Sequence, residues 1–402
     1  MSGRPSIDRV VPYFQPIVAL DDQNIHGYEV LGRLRPEGEG SVTSLGQFFH
    51  DAKLELSYVH EIDRHVQEQA IRRLQQADPR VRLFLNVMPR LLADLCARSR
   101  FAYESFHIVQ LVERYSIDPR RIVIEITEDE FRGEHGELVG IVQALRQFGF
   151  RIAVDDLGAG MSGLARLAYL QPDIIKVDLH LLQKSLTDDA FRRLLVAIGF
   201  VAQRLGAELL FEGVEVEEEL SAALKMGGRY LQGFYFSPAV PDFIPPETYQ
   251  ANLKNTLQDY TRFRVAEMIQ SYLRRDGIFL PLQQAGATFS NVEFEQADAA
   301  MREYLPRVPD QVRSAALFDF EGNQISSNFV RAAGEWEINP VAIGNISWRN
   351  IFQQTVANYL FHKQTYLISD PVQKGQQDYP FVQALLVVAD NRIVFLEMDW
   401  ID

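Results

Sequence analysis

Carboxylates, amides and one lysine stand at the ends of successive apolar runs in this chain. They are Glu29, Asn86, Glu125, the adjacent pair Asp155-Asp156, Lys176 with Asp178, Glu212 with Glu215, and Gln232. Neighbouring carboxylates repel and raise each other's pKa, so two of them leaving one strand together are costly to place. Divalent cations relieve that cost and make the acids useful as oxygen ligands. An oxygen-only set matches Mg²⁺ or Mn²⁺, whereas zinc would call for histidine or cysteine. The eight histidines form no paired ligand spacing, and His60 and His65 read as ordinary helix residues. Taken singly, Glu125 could be a helix cap, Glu128 first-turn helix chemistry and Lys176 a snorkelling lysine. Their joint occurrence at so many run ends points to a hydrolytic metal site.

Groups this far apart in sequence converge only if the fold gathers them. Strand patterns fall at residues 13–20, 26–34, 82–88, 121–127, 151–157, 173–177, 207–214 and 230–236. Helical periodicity falls at 58–75, 136–148, 188–205 (ended by Gly206) and 217–226. Repeated strand–helix units of this length indicate a parallel α/β barrel, whose strand C-termini all open on one face. The opening strand pair, joined by Asp21-Asp22-Gln23-Asn24, is atypical of a pure eightfold repeat. The division expected is a barrel over residues 1–245, a connector helix over 246–280 and a second domain over 281–402. The last region alternates a few helices with antiparallel strands, an α+β pattern of the sensor type. Its Trp336 and Trp348 read as core residues.

Composition narrows the function classes. With 402 residues and 47% hydrophobic content, the chain can bury a large core. Its net charge of −14 argues against bulk electrostatic binding of DNA, RNA or an anionic membrane. It does not exclude an anionic substrate, because bound cations invert the local sign. The single Cys96 excludes internal disulfides and is expected to be a packed core residue. No signal peptide or membrane-spanning run is apparent, so a cytoplasmic location is expected.

With these residues in order, residues 10–240 resemble the EAL domain, a cyclic di-GMP phosphodiesterase. The name-giving motif stands as Glu29-Val30-Leu31, followed by Gly32-Arg33 and preceded by Tyr13-Phe14-Gln15-Pro16-Ile17-Val18. Then come Asn86-Val87-Met88-Pro89, Glu125-Ile126-Thr127-Glu128, Asp155-Asp156-Leu157-Gly158, Lys176-Val177-Asp178, Glu212-Gly213-Val214-Glu215 and Gln232-Gly233-Phe234. The resemblance implies a modified (βα)8 TIM barrel with its first strand antiparallel, which fits the odd opening pair. It implies that Glu29, Asn86, Glu125 and Asp155 hold one metal ion and that Asp155 and Asp156 hold a second. Glu212 would orient or deprotonate the attacking water beside Lys176, with Asp178 and Gln232 in support. Gln15, Leu31, Arg33 and Glu215 match positions that touch the dinucleotide, and Glu128 matches the acid that anchors the loop after Asp156. The product would be linear pGpG.

Two departures stand out. Val30 replaces the usual alanine and faces no obvious chemistry. After the acid pair, the family's Phe-Gly-Thr-Gly-Tyr-Ser-Ser becomes Leu157-Gly158-Ala159-Gly160-Met161-Ser162-Gly163. The glycines that allow the turn remain, but a hydroxyl and two aromatics that order it are gone. This bears on turnover more than on binding, and it keeps a second reading open: a catalytically silent cyclic di-GMP receptor. An aldolase-type barrel lyase does not fit the ordered motifs. The C-terminal region resembles PAS-like or Cache-like sensor domains at residues 318–324 and at Trp348-Arg349, with a small ligand unknown. A homodimer is expected, with apolar residues of the connector helix at near-helical spacing.

Overall fold

A computed structural model describes residues 5–38, 40–49, 54–87, 106–127, 135–155, 163–341, 343–369, 381–389 and 391–399. Cys96, Glu128, Asp156 and loop residues 157–162 lie outside this set. The chain divides into two units, Met1–Tyr260 and Thr261–Asp402. Among the described residues no helix is long and apolar enough to cross a membrane.

The first unit is a closed barrel. Its strands are β1 (Val10–Ala19), β2 (Ile25–Leu34), β4 (Arg82–Asn86), β5 (Ile122–Thr127), β6 (Arg151–Asp155), β7 (Ile174–Val177), β8 (Glu208–Phe211) and β9 (Tyr230–Gln232), with the two-residue β3 (Thr43–Ser44) on the edge of β2. They follow the order β1-β9-β8-β7-β6-β5-β4-β2, and pairing of β1 with β2 closes the ring. Strand β1 is antiparallel to both neighbours and the edge strand β3 is antiparallel to β2, while the ring pairings from β2 through β4 to β9 are parallel. The modified barrel that the family resemblance implied is therefore the fold observed.

The helices pack as their periodicity requires. Helix Leu56–Leu74 buries Val59, Ile62, Val66, Ala70 and Leu74, one stripe at three- and four-residue spacing. Each of the valine, isoleucine and leucine side chains, fully buried, contributes roughly 1.5–3 kcal/mol. Helix Asp189–Leu205 ends at Gly206, whose φ of 71° suits glycine. A further helix, Leu179–Thr187, precedes it and was not expected from the sequence. Asp188 separates the two because its extended backbone ends one, while its carboxylate accepts from Ala190 N at 2.7 Å to cap the next.

The barrel interior is layered. Ile17, Ala19, Phe84, Val123, Ala153, Ile174, Leu210 and Tyr230 form a separate buried cluster drawn from β1 and β4 to β9. Alternate strand residues share a face, so the next inward positions are known from the sequence numbers alone. Two residues on, they are Asn86, Glu125, Asp155, Lys176, Glu212 and Gln232; on the reversed β1, two residues back, it is Gln15. An apolar plug thus seals the barrel directly beneath the polar layer.

Below the plug the pairing of β1 with β2 skips His26, a bulge between Ile17 and Val18. The His26 ring lies 4.4 Å from that of Tyr230 and its Nδ1 is 3.3 Å from Arg82 Nη1. Burial, then the charges of Arg82, Arg151 and Arg229, push its pKa down to about 3, against a smaller opposing pull from Asp21. The unfolded imidazole protonates near its ordinary value, so the unfolded chain binds the proton first. Stability from this residue is complete above about pH 6.5 and is lost as pH falls toward 3. We expect His26→Phe to remove on the order of 2 kcal/mol of the stability lost between neutral pH and pH 5. Urea midpoints of both proteins across that range check it, and parallel curves would refute it.

The second unit holds a six-stranded antiparallel sheet of order β12-β11-β10-β15-β14-β13. Its strands are β10 (Val312–Phe318), β11 (Asn328–Ala332), β12 (Glu335–Asn339), β13 (Tyr366–Ile368), β14 (Phe381–Ala389) and β15 (Arg392–Asp399). Both faces are covered. Val394, Leu396 and Met398 pack with Phe289, Met301 and Tyr304 on one side, while Ile393 and Phe395 pack with Phe318 and Phe352 on the other. This period-two division explains why β15 reads as a near-continuous apolar run. Strand β12 was missed because its residues are mostly exposed and polar. Trp348 corrects the core expectation: it is 74% exposed, with Nε1 donating to Asn345 O. Trp336 is half-buried and packs at the edge of the core under Arg331. The long helix Gln250–Ala285 runs past the expected end of the connector and contains Pro281.

Candidate active site

The polar layer gathers most of the residues picked from strand ends. Asn86, Asp155 and Gln232 close their strands, Glu125 and Lys176 come just before the ends of theirs, and Glu212 follows β8 directly. Glu29 joins them from the middle of the longer β2, opposite Gln15 in the β1 register. Lys176 Nζ lies 2.8 Å from Glu125 Oε1, 3.2 Å from Asp155 Oδ2 and 2.6 Å from Glu212 Oε1. Glu29 is held from two sides: Asn86 Nδ2 donates to Oε1 at 2.9 Å and Gln232 Nε2 to Oε2 at 2.6 Å. Gln232 Nε2 also reaches Gln15 Oε1 at 3.2 Å.

This layer is largely buried and rich in ionisable groups. Glu125 is fully buried and Lys176 is 1% exposed. Burial pushes the Glu125 carboxyl well above the ordinary range, against the pull of Lys176. Burial likewise pushes Glu212 up to about 8, opposed by Lys176. For Lys176 burial disfavours the charge, but Glu125, Glu212, Glu29 and Asp155 outweigh it and hold the ammonium well above its ordinary pKa. Four acids thus share one cation, an arrangement that calls for further positive charge.

The donor set fits divalent cations on this structure's own terms. Glu125 Oε2 and Gln232 Oε1 are buried with no hydrogen-bond partner among the described residues, and buried acceptors without partners are costly. The available donors are oxygens, the choice of hard cations. Among the described residues no three acids or histidines already close into a metal cage. Lys176 stands between Glu125, Asp155 and Glu212, and Asp156 lies outside the described set.

Other expected residues sit around this layer. Arg33 is half-buried and its Nη1 donates to Gly32 O at 3.1 Å and Ser44 Oγ at 3.4 Å. Leu31 is half-buried on the same strand, facing Tyr13 across the β1 register. Asp178 is not drawn into the cluster; its Oδ1 accepts from His180 N at 2.5 Å and caps helix Leu179–Thr187. Glu215 is exposed on the loop after β8. That loop is tightly set: Gly213 has φ of 63°, and an added Cβ there would lie 2.6 Å from Leu179 Cβ. At Gly233 a Cβ would meet Val214 O at 2.1 Å, so the loop and the β9 turn touch backbone to backbone.

Two residues that strand-end reasoning missed secure the loop. Glu219 is 3% exposed; its Oε2 accepts from Glu215 N at 2.8 Å and Val216 N at 3.3 Å. Its Oε1 accepts from Gln183 Nε2 at 2.8 Å. The available signal was a glutamate three residues after a helix cap, obscured because the cap is Val216 and not a hydroxyl residue.

Comparison with known proteins agrees with this geometry. A family model for the EAL domain matches residues 3–239. The chain is 31% identical over 353 residues to YkuI of Bacillus subtilis (strain 168), an uncharacterized EAL-domain containing protein, covering 87% of this chain and 85% of the relative. It is 30% identical over 233 residues to the cyclic di-GMP phosphodiesterase RocR of Pseudomonas aeruginosa, 57% of either protein. The crystal structure of Bacillus subtilis YkuI in complex with substrate c-di-GMP and calcium matches with a TM-score of 0.88 and 28% identity, over 98% of this chain and 97% of that one. A family match over more than half of the chain and a fold shared along nearly all of it lead to one conclusion: this chain belongs to the EAL domain family.

Proposed function

We propose that the chain is a cytosolic signalling enzyme that hydrolyses cyclic di-GMP to linear pGpG with the help of two divalent cations, Mg²⁺ or Mn²⁺. The observation that carries this reading is the buried polar layer, in which three acids share one lysine, a fourth, Glu29, lies beside them, and Glu125 Oε2 has no hydrogen-bond partner among the described residues. Glu29, Asn86, Glu125 and Asp155 would hold one cation, and Asp155 with Asp156 the other. When bound, such cations stabilise charge on the attacking and leaving oxygens of an in-line displacement and make water more acidic.

The chain's own groups do the rest. Glu212 accepts the proton of the attacking water at its carboxylate. Lys176, 2.6 Å from Glu212 Oε1, keeps that carboxylate oriented and supplies positive charge beside the phosphate. Gln232 fixes Glu29, and Asp178 supports the site by anchoring the helix that leaves β7. Arg33 pairs with phosphate oxygens in fork geometry, while Gln15, Leu31 and Glu215 contact the dinucleotide. By the family resemblance Glu128 would anchor the loop after Asp156; both residues lie outside the described set.

The test is to incubate the protein with cyclic di-GMP and Mg²⁺ or Mn²⁺ and follow pGpG. Product formation supports the enzyme. Tight binding without product supports the silent receptor, the reading favoured by the altered loop 157–163. Calcium should permit binding but suppress turnover, since its longer bonds and looser geometry misplace the water. Equal rates in calcium and magnesium would contradict that assignment.

We also propose that the barrel, the helix Gln250–Ala285 and the C-terminal PAS-like or Cache-like domain act as catalytic, connecting and regulatory parts of a homodimer. The helix exposes Val265, Ile269, Tyr272 and Leu273, apolar residues about half exposed or more, at spacings of three and four. A second copy presenting the same face would cover them. Sedimentation of the full chain should show a dimer, weakened at least tenfold by Ile269→Glu with Leu273→Glu. A monomer at all concentrations, or a dimer indifferent to both changes, would dispose of this interface.

A further inference from the structure

We infer that Glu219 and Gln183 are positioning residues that set where Glu215 meets a bound dinucleotide, an inference resting on the assignment of Glu215 as a dinucleotide contact. Glu215 is exposed, so its place depends on its backbone. That backbone leaves the barrel after Glu212, whose N–H still donates to Val177 O at 3.0 Å in the β7–β8 pairing. The sheet's hold ends one residue short of Glu215, where Val214 N–H donates to Gln232 O at 3.0 Å. The buried Glu219 carboxylate takes over, receiving the N–H of Glu215 and of Val216 on one oxygen. Its other oxygen receives the amide of Gln183, on the helix that begins one residue after Asp178.

This single carboxylate therefore joins the two segments that leave β7 and β8. One follows Lys176 and carries Asp178, the other carries Glu212 and Glu215. A loop acid held this way is preorganised for its ligand and loses little freedom on binding. The Gln183 bond matters because a helix cap alone needs only the backbone donors. The third donor fixes the direction of the carboxylate and ties the loop to a second element.

The test uses the full-length protein with calcium, which supports binding without turnover, and measures cyclic di-GMP affinity by calorimetry beside the melting temperature. Gln183→Ala and Glu219→Ala should each weaken binding by roughly 5- to 20-fold. Glu219→Gln should bind within about twofold of the parent, because its amide oxygen still accepts from Glu215 N and its NH₂ can donate to a reoriented Gln183. In the hydrolysis assay the same variants should raise KM while kcat stays within about twofold. Unchanged affinity in Gln183→Ala, or a melting shift without an affinity change in Glu219→Ala, would overturn the inference. So would Glu219→Gln binding as weakly as Glu219→Ala, since charge and not geometry would then be at work. A parent protein that binds no cyclic di-GMP would instead refute the proposed function, and this inference with it.

Discussion

Glu29→Ala should abolish pGpG formation, lowering the rate by at least ~10³-fold while the barrel still folds. The side chain lies in the polar layer and carries two roles at once. In the proposed site it would offer carboxylate oxygens to a cation, and it accepts from both Asn86 Nδ2 and Gln232 Nε2. Its removal withdraws one anionic ligand and frees two amides to reorient, so the remaining ligands lose their alignment as well. Leaving those donors unmatched costs roughly 1–3 kcal/mol each, tolerable for a barrel of this size. Asp155→Asn should have a comparable effect on rate with less effect on stability, because the shape is retained. Steady-state rates in Mg²⁺ and Mn²⁺, with circular dichroism to confirm folding, decide the matter. Full activity of Glu29→Ala in Mg²⁺ would eliminate the two-cation reading.

Lys176→Met should combine a loss of turnover of about 10²-fold or more with a loss of stability that divalent cations repair. The ammonium is buried among Glu125, Asp155 and Glu212. Replacing one partner of a buried ionic cluster leaves the others uncompensated, at a cost of roughly 3–5 kcal/mol. In chelator the variant should therefore unfold well below the parent. Mn²⁺ should raise its melting temperature more than it raises that of the parent, since the cation substitutes for the missing positive charge. Equal shifts for the two proteins would mean that cations do not bind among these acids.

Much of this was legible in the sequence because strand chemistry is local. A buried parallel strand is a short apolar run, and a charged residue two positions past an inward-facing apolar one breaks that run visibly, as at Ile174 and Lys176. Glu125, Asp155 and Gln232 announce themselves in the same way. What stayed hidden depends on contacts at a distance. Glu219 reads as one more acid in an acidic first turn, and only its approach to Gln183 distinguishes it from Glu217 and Glu218. Asp178 shows the opposite limit: its spacing from Lys176 places it at the site, but its carboxylate is engaged in capping a helix. Trp348 was misjudged because an aromatic residue in an apolar pattern carries no sign of which face it occupies.

The offset of two residues between the plug and the polar layer also governs how such a chain can change by insertion and deletion. Ile175 and Val177 pack outward into the shell of helices, while Ile174 and Lys176 belong to the interior. Deleting one residue within β7 would exchange the two sets, burying the lysine under helices and turning an aliphatic side chain toward the acids. The same holds for β4, β5, β6, β8 and β9, so a length change inside any of them damages packing and chemistry in a single step. Connections between strands carry no such double constraint. Descent with altered length should therefore be confined to the loops and helix ends, leaving strand lengths nearly fixed even where most side chains have been replaced.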